Sequence, residues 1–247
     1  MTPWFRVLKA VPRPRVRLVC FHHAGGSAAV FHDWIRDLPP AIELWAAELP
    51  GHGARWREPV VPRLEPLAGA MTPLLVRAAS APMTLFGHSM GAVLAYAVAQ
   101  RLRDAAVAAE MQLLVAGARP PSIVRTGSMV HELPDEALLM YLNAIGGTPQ
   151  ELLANRELMR LALPTIRADY AAVETWQPQH ETPLRIPIEA LGGRDDASVP
   201  PAALAAWEAH TQGPFSLRWF SGGHFFSHQP AVRSAIMWSL GGRRGGV

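Results

Sequence analysis

A serine between two glycines is the residue of this chain best suited to act as a nucleophile. Ser89 lies in the segment Gly87-His88-Ser89-Met90-Gly91, between an apolar run at 83–86 and a helix-like run at 92–99. In a tight strand-to-helix turn, a side chain two positions before or after the serine collides with the backbone, so glycine is expected at both places. The pattern predicts a turn that lifts the Ser89 hydroxyl clear of a sheet.

A histidine near the C-terminus can supply the base that a serine nucleophile needs. A serine hydroxyl is a poor nucleophile at neutral pH and requires a neighbouring group that accepts its proton. His224 follows Gly222 and Gly223, just after a strand-like run at 216–220. Glycines at this place let the backbone bend, so that the imidazole can reach the serine. We expect His224 to be the base and assign a packing role to His88.

Two adjacent aspartates compete for the role of the carboxylate that orients this base. Asp195 and Asp196 follow a strand-like run at 186–191. Neighbouring side chains in a loop point in different directions, so only one of the two can meet the imidazole. We favour Asp196, because Gly193-x-x-Asp196-x-x-Val199-Pro200 resembles the acid loop of many α/β hydrolases, and Asp195 remains the alternative.

Backbone amides can supply the oxyanion hole for such a serine. One donor is expected from the residue after the nucleophile, which is Met90, and a second from a loop after an early strand. The buried strand-like run at 17–21 leads into a glycine-rich turn at 22–27. We choose Ala24 in this turn as the second donor.

A metal site is the main alternative use of the C-terminal histidines. His228 follows His224 by four residues, but no third ligand is spaced along the sequence to complete a site. We therefore expect no metal, and the sequence contains no cofactor-binding pattern that we recognise.

Strand-like and helix-like runs alternate along the chain, which is typical of a parallel sheet covered by helices on both faces. We predict an α/β protein with a mostly parallel sheet in one domain, 1–247. The expected strands are 16–21, 42–47, 83–87, 111–116, 186–191 and 216–220, and the expected helices are 29–37, 65–79, 90–103, 201–210 and 229–240.

The interval between Val115 and Ile186 is too long for a single crossover and must contain an insertion. Residues 135–142 have helical composition, a capping-box pattern at 148–151 precedes a helix at 152–163, and Pro164 separates this helix from another at 165–176. We predict a helical lid at about 120–180. Its apolar residues either line an acyl channel or pack against one another; they are Met140, Leu142, Ile145, Leu158, Met159 and Leu161.

Composition restricts the functional classes. The chain has 247 residues, 49% of them hydrophobic, a net charge of +3 and one cysteine. No apolar run approaches the roughly 20 residues of a membrane span, and the N-terminal segment lacks the apolar core of a signal peptide. We therefore expect a cytoplasmic protein. The lack of an apolar span also leads us to expect no membrane partner. No basic run with interleaved aromatic residues is present, so we expect no nucleic-acid partner.

Several of these segments together resemble the type II thioesterases of polyketide and nonribosomal peptide synthesis. The glycine-bounded serine turn at 87–91 is common to all α/β hydrolases, but its combination with the other four segments is specific to this group. Two positions depart from the usual pattern: His22 stands where proline is common, and His52 stands where arginine is frequent. The matching segments are FHHAGGS (21–27), LPGHGAR (49–55), GHSMG (87–91), LPTIRADY (163–170) and GGHFF (222–226).

The resemblance implies an α/β-hydrolase fold and a free-standing enzyme, for which we expect a monomer. It implies that acyl groups are removed from the phosphopantetheine arm of acyl or peptidyl carrier proteins, so that the protein itself needs no cofactor. Ser89, His224 and Asp196 then form the triad, with the Ala24 and Met90 amides as the oxyanion hole. Carrier proteins are generally acidic, so arginines near the lid are candidates for docking: Arg119, Arg125, Arg156 and Arg160.

Three other functions remain open at this point. A carboxylesterase or lipase would use the same residues on oxygen esters. A thioesterase of fatty acid synthesis differs only in its carrier and chain-length preference. A non-catalytic carrier-binding protein on the same fold is disfavoured, because no residue of the triad is missing.

Overall fold

The computed structural model describes residues 4–123, 127–178 and 182–242. Within these ranges, seven strands form one sheet in the order β1-β3-β2-β4-β5-β6-β7. The first strand pairs antiparallel with the third, and all other neighbours are parallel. The strands are Phe5–Lys9 (β1), Val16–Phe21 (β2), Ile42–Ala47 (β3), Met83–His88 (β4), Met111–Ala116 (β5), Ile188–Gly193 (β6) and Phe215–Phe220 (β7).

Helices connect the strands. The α-helices of the described ranges are Leu64–Ala78 (α1), Met90–Asp104 (α2), Asp135–Ile145 (α3), Gln150–Ala154 (α4), Arg156–Glu174 (α5), Pro201–Ala205 (α6) and Pro230–Gly242 (α7). A nine-residue 3₁₀-helix, Ala28–Arg36, follows β2. It begins at Ser27, whose hydroxyl oxygen accepts a hydrogen bond from the amide of Ala29 at 3.3 Å.

The central strands are buried on both faces, which explains their nearly continuous apolar sequences. Successive side chains of a strand point to opposite faces. In β2, Val19 and Phe21 pack into the core that includes α1 and α2. Leu18 and Cys20 pack into a second core that includes the 3₁₀-helix and α7. Helices therefore cover both faces of the sheet, as predicted.

The insertion between β5 and β6 forms a small core of its own. Leu138 and Leu142 of α3 pack with Met159, Leu163 and Ile166 of α5. The helices α3, α4 and α5, here called the insertion helices, thus cohere as a unit. Leu142 and Met159 belong to this core, whereas Met140, Leu158 and Leu161 are exposed.

The predicted break at Pro164 was wrong. Pro164 lies inside the continuous helix α5, and the break occurs at Asn155, between α4 and α5. The Asn155 side-chain oxygen accepts a hydrogen bond from the amide of Leu158 at 3.1 Å and so begins the longer helix. The predicted capping box was also wrong, because α4 begins after Pro149 without a side-chain cap.

The remaining differences concern short elements and boundaries. The antiparallel edge strand β1 was not predicted. The predicted helix at 29–37 is a 3₁₀-helix, and the predicted helix at 201–210 is α6 followed by the 3₁₀-helix Ala206–His210. The sixth strand begins two residues later than predicted. No helix in the described part of the chain is both long and apolar enough to span a membrane.

Candidate active site

Ser89 occupies a strained turn between β4 and α2. Its backbone has φ 55° and ψ −118°, in a region that residues with side chains rarely adopt. A Cβ atom at Gly87 would lie 2.1 Å from the carbonyl oxygen of Gly91, and one at Gly91 would lie 2.1 Å from that of Phe21. The predicted steric need for both glycines is therefore confirmed.

Asp196 is the aspartate that meets His224. Its Oδ2 lies 2.8 Å from His224 Nδ1, and both side chains are buried. The neighbouring Asp195 is exposed and accepts a hydrogen bond from the amide of Gly222 at 3.2 Å. Because Asp196 can only accept from the imidazole, the contact places the ring proton on Nδ1 and leaves Nε2 free to accept a proton. The structure thus brings together Asp196 and His224, and it assigns Asp195 to the support of the loop.

Ser198 fixes the orientation of the Asp196 carboxylate. Asp196 Oδ1 accepts hydrogen bonds from the Ser198 hydroxyl at 2.6 Å and from the Ser198 amide at 2.9 Å. Burial raises the pKa of Asp196, but the bonds and charge of His224 and the two Ser198 bonds outweigh burial and leave this pKa lowered. Asp196 therefore remains a carboxylate at neutral pH. The sequence analysis did not identify Ser198.

His88 is hydrogen-bonded to the backbone of His224. Its Nε2 donates to the carbonyl oxygen of His224 at 2.9 Å, and the ring centroids of the two histidines are 5.0 Å apart. Burial and the neighbouring histidines lower the pKa of His88 well below its usual range, so the ring is neutral. The packing role predicted for His88 is confirmed, and its hydrogen bond links the turn at Ser89 to His224.

The two proposed oxyanion donors border the same cavity as Ser89 and His224. Met90 is the first residue of α2, where the backbone N–H groups lack partners within the helix and the helix dipole favours negative charge. Ala24 lies in a tight turn closed by a 3.0 Å hydrogen bond from the Gly26 amide to the His23 carbonyl oxygen.

A buried pair that the sequence analysis missed supports the turn at Ala24. Asp169 Oδ2 accepts hydrogen bonds from the Gly25 amide at 2.7 Å and from His52 Nε2 at 2.8 Å. His52 Nδ1 lies 2.9 Å from the carbonyl oxygen of Pro50. His52 and Asp169 both lie in segments quoted for the resemblance, but nothing in the sequence indicated that these two residues, 117 positions apart, form a pair.

The cavity beside Ser89 has a volume of about 250 Å³. Its walls include Tyr141 and Ile145 of α3 and Tyr170 and Val173 of α5. Of the insertion residues considered for an acyl channel, Ile145 is the one that borders this cavity. The insertion helices therefore cover the end of the sheet that carries Ser89.

The arginines proposed for docking fall in different places. Arg119 borders the cavity and donates a 2.6 Å hydrogen bond to the carbonyl oxygen of Ser198. Arg156 and Arg160 are exposed on α5. Arg125 lies outside the described residues.

Three histidines that are far apart in the sequence lie close together in the structure. His228 was considered with His224, but it lies with His23 and His88, and the ligand atoms of these three side chains are all within 4.8 Å of one another. Sequence spacing could not show this group, because its three members lie far apart along the chain and do not include His224.

The strand order and the position of Ser89 on the turn after β4 place this protein among the α/β hydrolases. Within that class the chain belongs to the thioesterase family, because residues 16–239 match the family model described as the thioesterase domain. The resemblance to type II thioesterases is confirmed by the relatives described next.

Two curated relatives and one solved structure are similar over most of this chain. The chain is 37% identical over 239 residues to the probable cadicidin biosynthesis thioesterase of Streptomyces griseus, covering 96% of this chain and 66% of that protein, just under two thirds. It is 38% identical over 229 residues to the thioesterase PikA5 of Streptomyces venezuelae, covering 90% and 79%. The type II thioesterase BorB from the borrelidin biosynthetic cluster is 39% identical, with a TM-score of 0.86 and 97% of both chains covered.

Proposed function

We propose that this protein is an editing thioesterase that hydrolyses acyl groups from the phosphopantetheine arm of carrier proteins in polyketide or nonribosomal peptide synthesis. The observation that carries the proposal is the hydrogen bond between His224 Nδ1 and Asp196 Oδ2 beside the cavity that contains Ser89. The family assignment and the names of the relatives support the choice of a thioester as substrate.

In the first half of the reaction, Ser89 Oγ attacks the thioester carbonyl carbon while His224 Nε2 accepts the hydroxyl proton. The negative charge that forms on the carbonyl oxygen is stabilised by the amides of Ala24 and Met90. Asp196 holds the imidazole in the tautomer that can accept this proton and stabilises the imidazolium that results. When the carbon–sulfur bond breaks, His224 returns the proton to the phosphopantetheine sulfur.

In the second half, His224 removes a proton from a water molecule that attacks the acyl-Ser89 ester. Collapse of the second tetrahedral intermediate releases the carboxylic acid and restores the Ser89 hydroxyl. These steps use only side chains and amides of this chain, so we propose that catalysis needs no cofactor beyond the phosphopantetheine of the partner.

The cavity and its surroundings support an acyl group of limited size on a protein-borne arm. A cavity of about 250 Å³ is smaller than most pockets for drug-sized ligands, so short acyl groups are favoured. Exposed Arg156 and Arg160, on the helix that forms one wall, are available to an acidic carrier protein.

The test compares one short acyl group on three substrates: a phosphopantetheinylated carrier protein, a small thioester and an oxygen ester. Wild-type protein should prefer the carrier-bound thioester. Ser89→Ala should lower kcat by a factor on the order of 10⁴ or more, because both halves of the reaction need the hydroxyl. The matched control is Ser80→Ala, an exposed serine after α1, which should act as wild type.

Each other result has a distinct meaning. Preference for the oxygen ester assigns the protein to the esterases. Preference for a carrier protein of fatty acid synthesis, measured as a fourth substrate, assigns the protein to that pathway. Near-wild-type turnover by Ser89→Ala excludes Ser89 as the nucleophile. A wild-type protein that neither turns over any substrate nor reacts with a phosphonate at Ser89 is not a catalyst.

A further inference from the structure

Three histidine side chains that take no part in the proposed proton transfers meet beside His224. One ligand atom each from His23, His88 and His228 lie within 4.8 Å of one another. The ring centroids are 5.7 Å apart for His23 and His88, 5.4 Å for His23 and His228, and 5.8 Å for His88 and His228. Two imidazoles on a tetrahedral zinc ion, with bonds of about 2.0–2.1 Å, have their centroids about 5 Å apart. The ligand nitrogens on such an ion are about 3.4 Å apart. The side chains must therefore move inward to bind one ion, since their ligand atoms lie up to 4.8 Å apart.

The hydrogen bonds of these rings leave nitrogen atoms available for a ligand. His88 Nε2 contacts a carbonyl oxygen, which can only accept, so the proton of this ring is on Nε2 and its Nδ1 carries a lone pair. The Nδ1 atoms of His88 and His23 are buried and have no hydrogen-bond partner among the described residues. Buried polar atoms normally have partners, and a metal ion is one way to supply them.

Electrostatics supports the same conclusion. Burial, together with the neighbouring histidines, lowers the pKa values of His23 and His88 well below the usual range. Burial, with Arg233 and His224, lowers the pKa of His228. The neutral imidazole is the form that binds metal ions.

The surroundings resemble those of a metal site. The ring of Phe225 packs against all three histidine rings, with centroid distances of 4.9, 5.3 and 5.3 Å, and provides an apolar wall. His228 is exposed, so an ion can reach the group from solvent.

We propose that His23, His88 and His228 bind one divalent transition-metal ion of the zinc class, with a solvent molecule as the fourth ligand. His23 precedes Ala24, and His88 precedes Ser89. His228 ends a short 3₁₀-helix in the segment between β7 and α7, which also carries His224. A bound ion thus connects the three segments that carry the oxyanion amide, the nucleophile and the base. It holds these segments together and takes no part in bond breaking.

The experiment uses the full chain without a histidine tag, freed of metal by a chelator. Cobalt(II) is added, and its visible absorption reports both binding and coordination geometry. We expect one equivalent to bind with the intense bands of a four-coordinate ion, and zinc to displace it. Zinc should also raise the melting temperature of the wild-type protein.

Variants locate the ion. His228→Ala changes an exposed side chain and should weaken cobalt binding by at least about tenfold and reduce the thermal shift. The matched control His32→Ala changes another exposed histidine and should bind as wild type. Circular dichroism of the metal-free variants checks that both are folded.

Three results would overturn the proposal. They are a wild type that binds less than one equivalent or gives only six-coordinate spectra, a His228→Ala protein that binds as tightly as wild type, and retention of binding by His228→Ala with its loss in His224→Ala. The last result would place the ion on the proposed catalytic base.

Discussion

His52 and Asp169 form a buried ion pair, with His52 Nε2 2.8 Å from Asp169 Oδ2. The other ring nitrogen of His52 contacts the carbonyl oxygen of Pro50. Both partners accept hydrogen bonds, so both ring nitrogens donate and the imidazole carries a positive charge. Burial alone lowers the pKa of His52, but the hydrogen bond and charge of Asp169 outweigh burial and leave this pKa raised.

The raised pKa of His52 predicts a pH-dependent contribution to stability. A group with a folded-state pKa above its unfolded value stabilises fully below the unfolded pKa, here about 6.5, and loses this contribution as pH rises through the folded pKa. Urea unfolding should therefore show a larger deficit for His52→Gln at about pH 6 than at about pH 9. Equal deficits at both pH values would contradict a charged His52, and His32→Gln, at an exposed site, should show no deficit.

Asp169→Asn should impair catalysis although Asp169 is not proposed to touch the substrate. The change leaves the charge of His52 unpaired and weakens the bond that holds the Gly25 amide, next to Ala24. We expect kcat to fall by about 10- to 100-fold through displacement of the oxyanion turn, with a smaller change in KM. The control is Asp33→Asn, at an exposed pair with Arg36. An unchanged kcat would show that the contact between Asp169 and His52 does not control the position of the oxyanion turn.

Asp196→Asn and Asp195→Asn should differ greatly in turnover. In the first variant the amide can present its N–H to His224 Nδ1, which stabilises the wrong tautomer, and kcat should fall by about 10⁴-fold. In the second, only a loop contact to the Gly222 amide is weakened, so kcat should stay near that of wild type. Comparable losses in both variants would refute Asp196 as the triad acid.

Gly91→Ala and Gly69→Ala should shift stability in opposite directions. A Cβ atom at Gly91 would lie 2.1 Å from the Phe21 carbonyl oxygen, so β2 and α2 must separate and the free energy of unfolding should fall by several kcal/mol (about 3 or more). Gly69 lies within α1, where an added Cβ would be 3.9 Å from the nearest Arg101 atom, and alanine should stabilise by about 0.5–1 kcal/mol. Thermal unfolding of both proteins measures the difference, and a stable Gly91→Ala would disprove the close approach.

Charge reversal on α5 should weaken activity on a carrier-bound substrate. Arg156→Glu combined with Arg160→Glu should raise KM for an acyl carrier protein and reduce its dependence on salt, because long-range attraction to an acidic partner is lost. Turnover of a small thioester should not change. Arg77→Glu is the control. This exposed arginine lies in the last turn of α1, which leads to the start of β4, whereas Ser89 follows the other end of that strand. Equal effects of both changes on the carrier substrate would argue against docking on α5.

Local sequence signals were sufficient for most of the fold and for the two turns that carry Ser89 and His224. Apolar runs between turn residues predicted the parallel strands, and glycines around Ser89 and before His224 marked both turns. Asp196 was favoured over Asp195 only through a resemblance to the acid loop of α/β hydrolases. Local sequence could not exclude Asp195, because the orientation of a loop side chain depends on contacts with distant residues such as Gly222 and His224.

Features that depend on long-range contacts were missed for the same reason. Pro164 was expected to end a helix, but α5 continues through it, because tertiary packing of Leu163 and Ile166 offsets the lost backbone hydrogen bond. The pairing of His52 with Asp169 and the grouping of His23 with His88 and His228 join segments far apart in sequence. No local sequence pattern indicates which of these distant segments come into contact.

The hydrogen bond from the Gly25 amide to Asp169 has a mechanical consequence. Asp169 belongs to α5, and Gly25 to the turn that carries Ala24, so one contact connects a wall of the cavity to a proposed oxyanion donor. Any movement of α5 away from this turn would lengthen the bond. The position of the proposed oxyanion turn is therefore coupled to the position of the helix that forms one wall of the cavity.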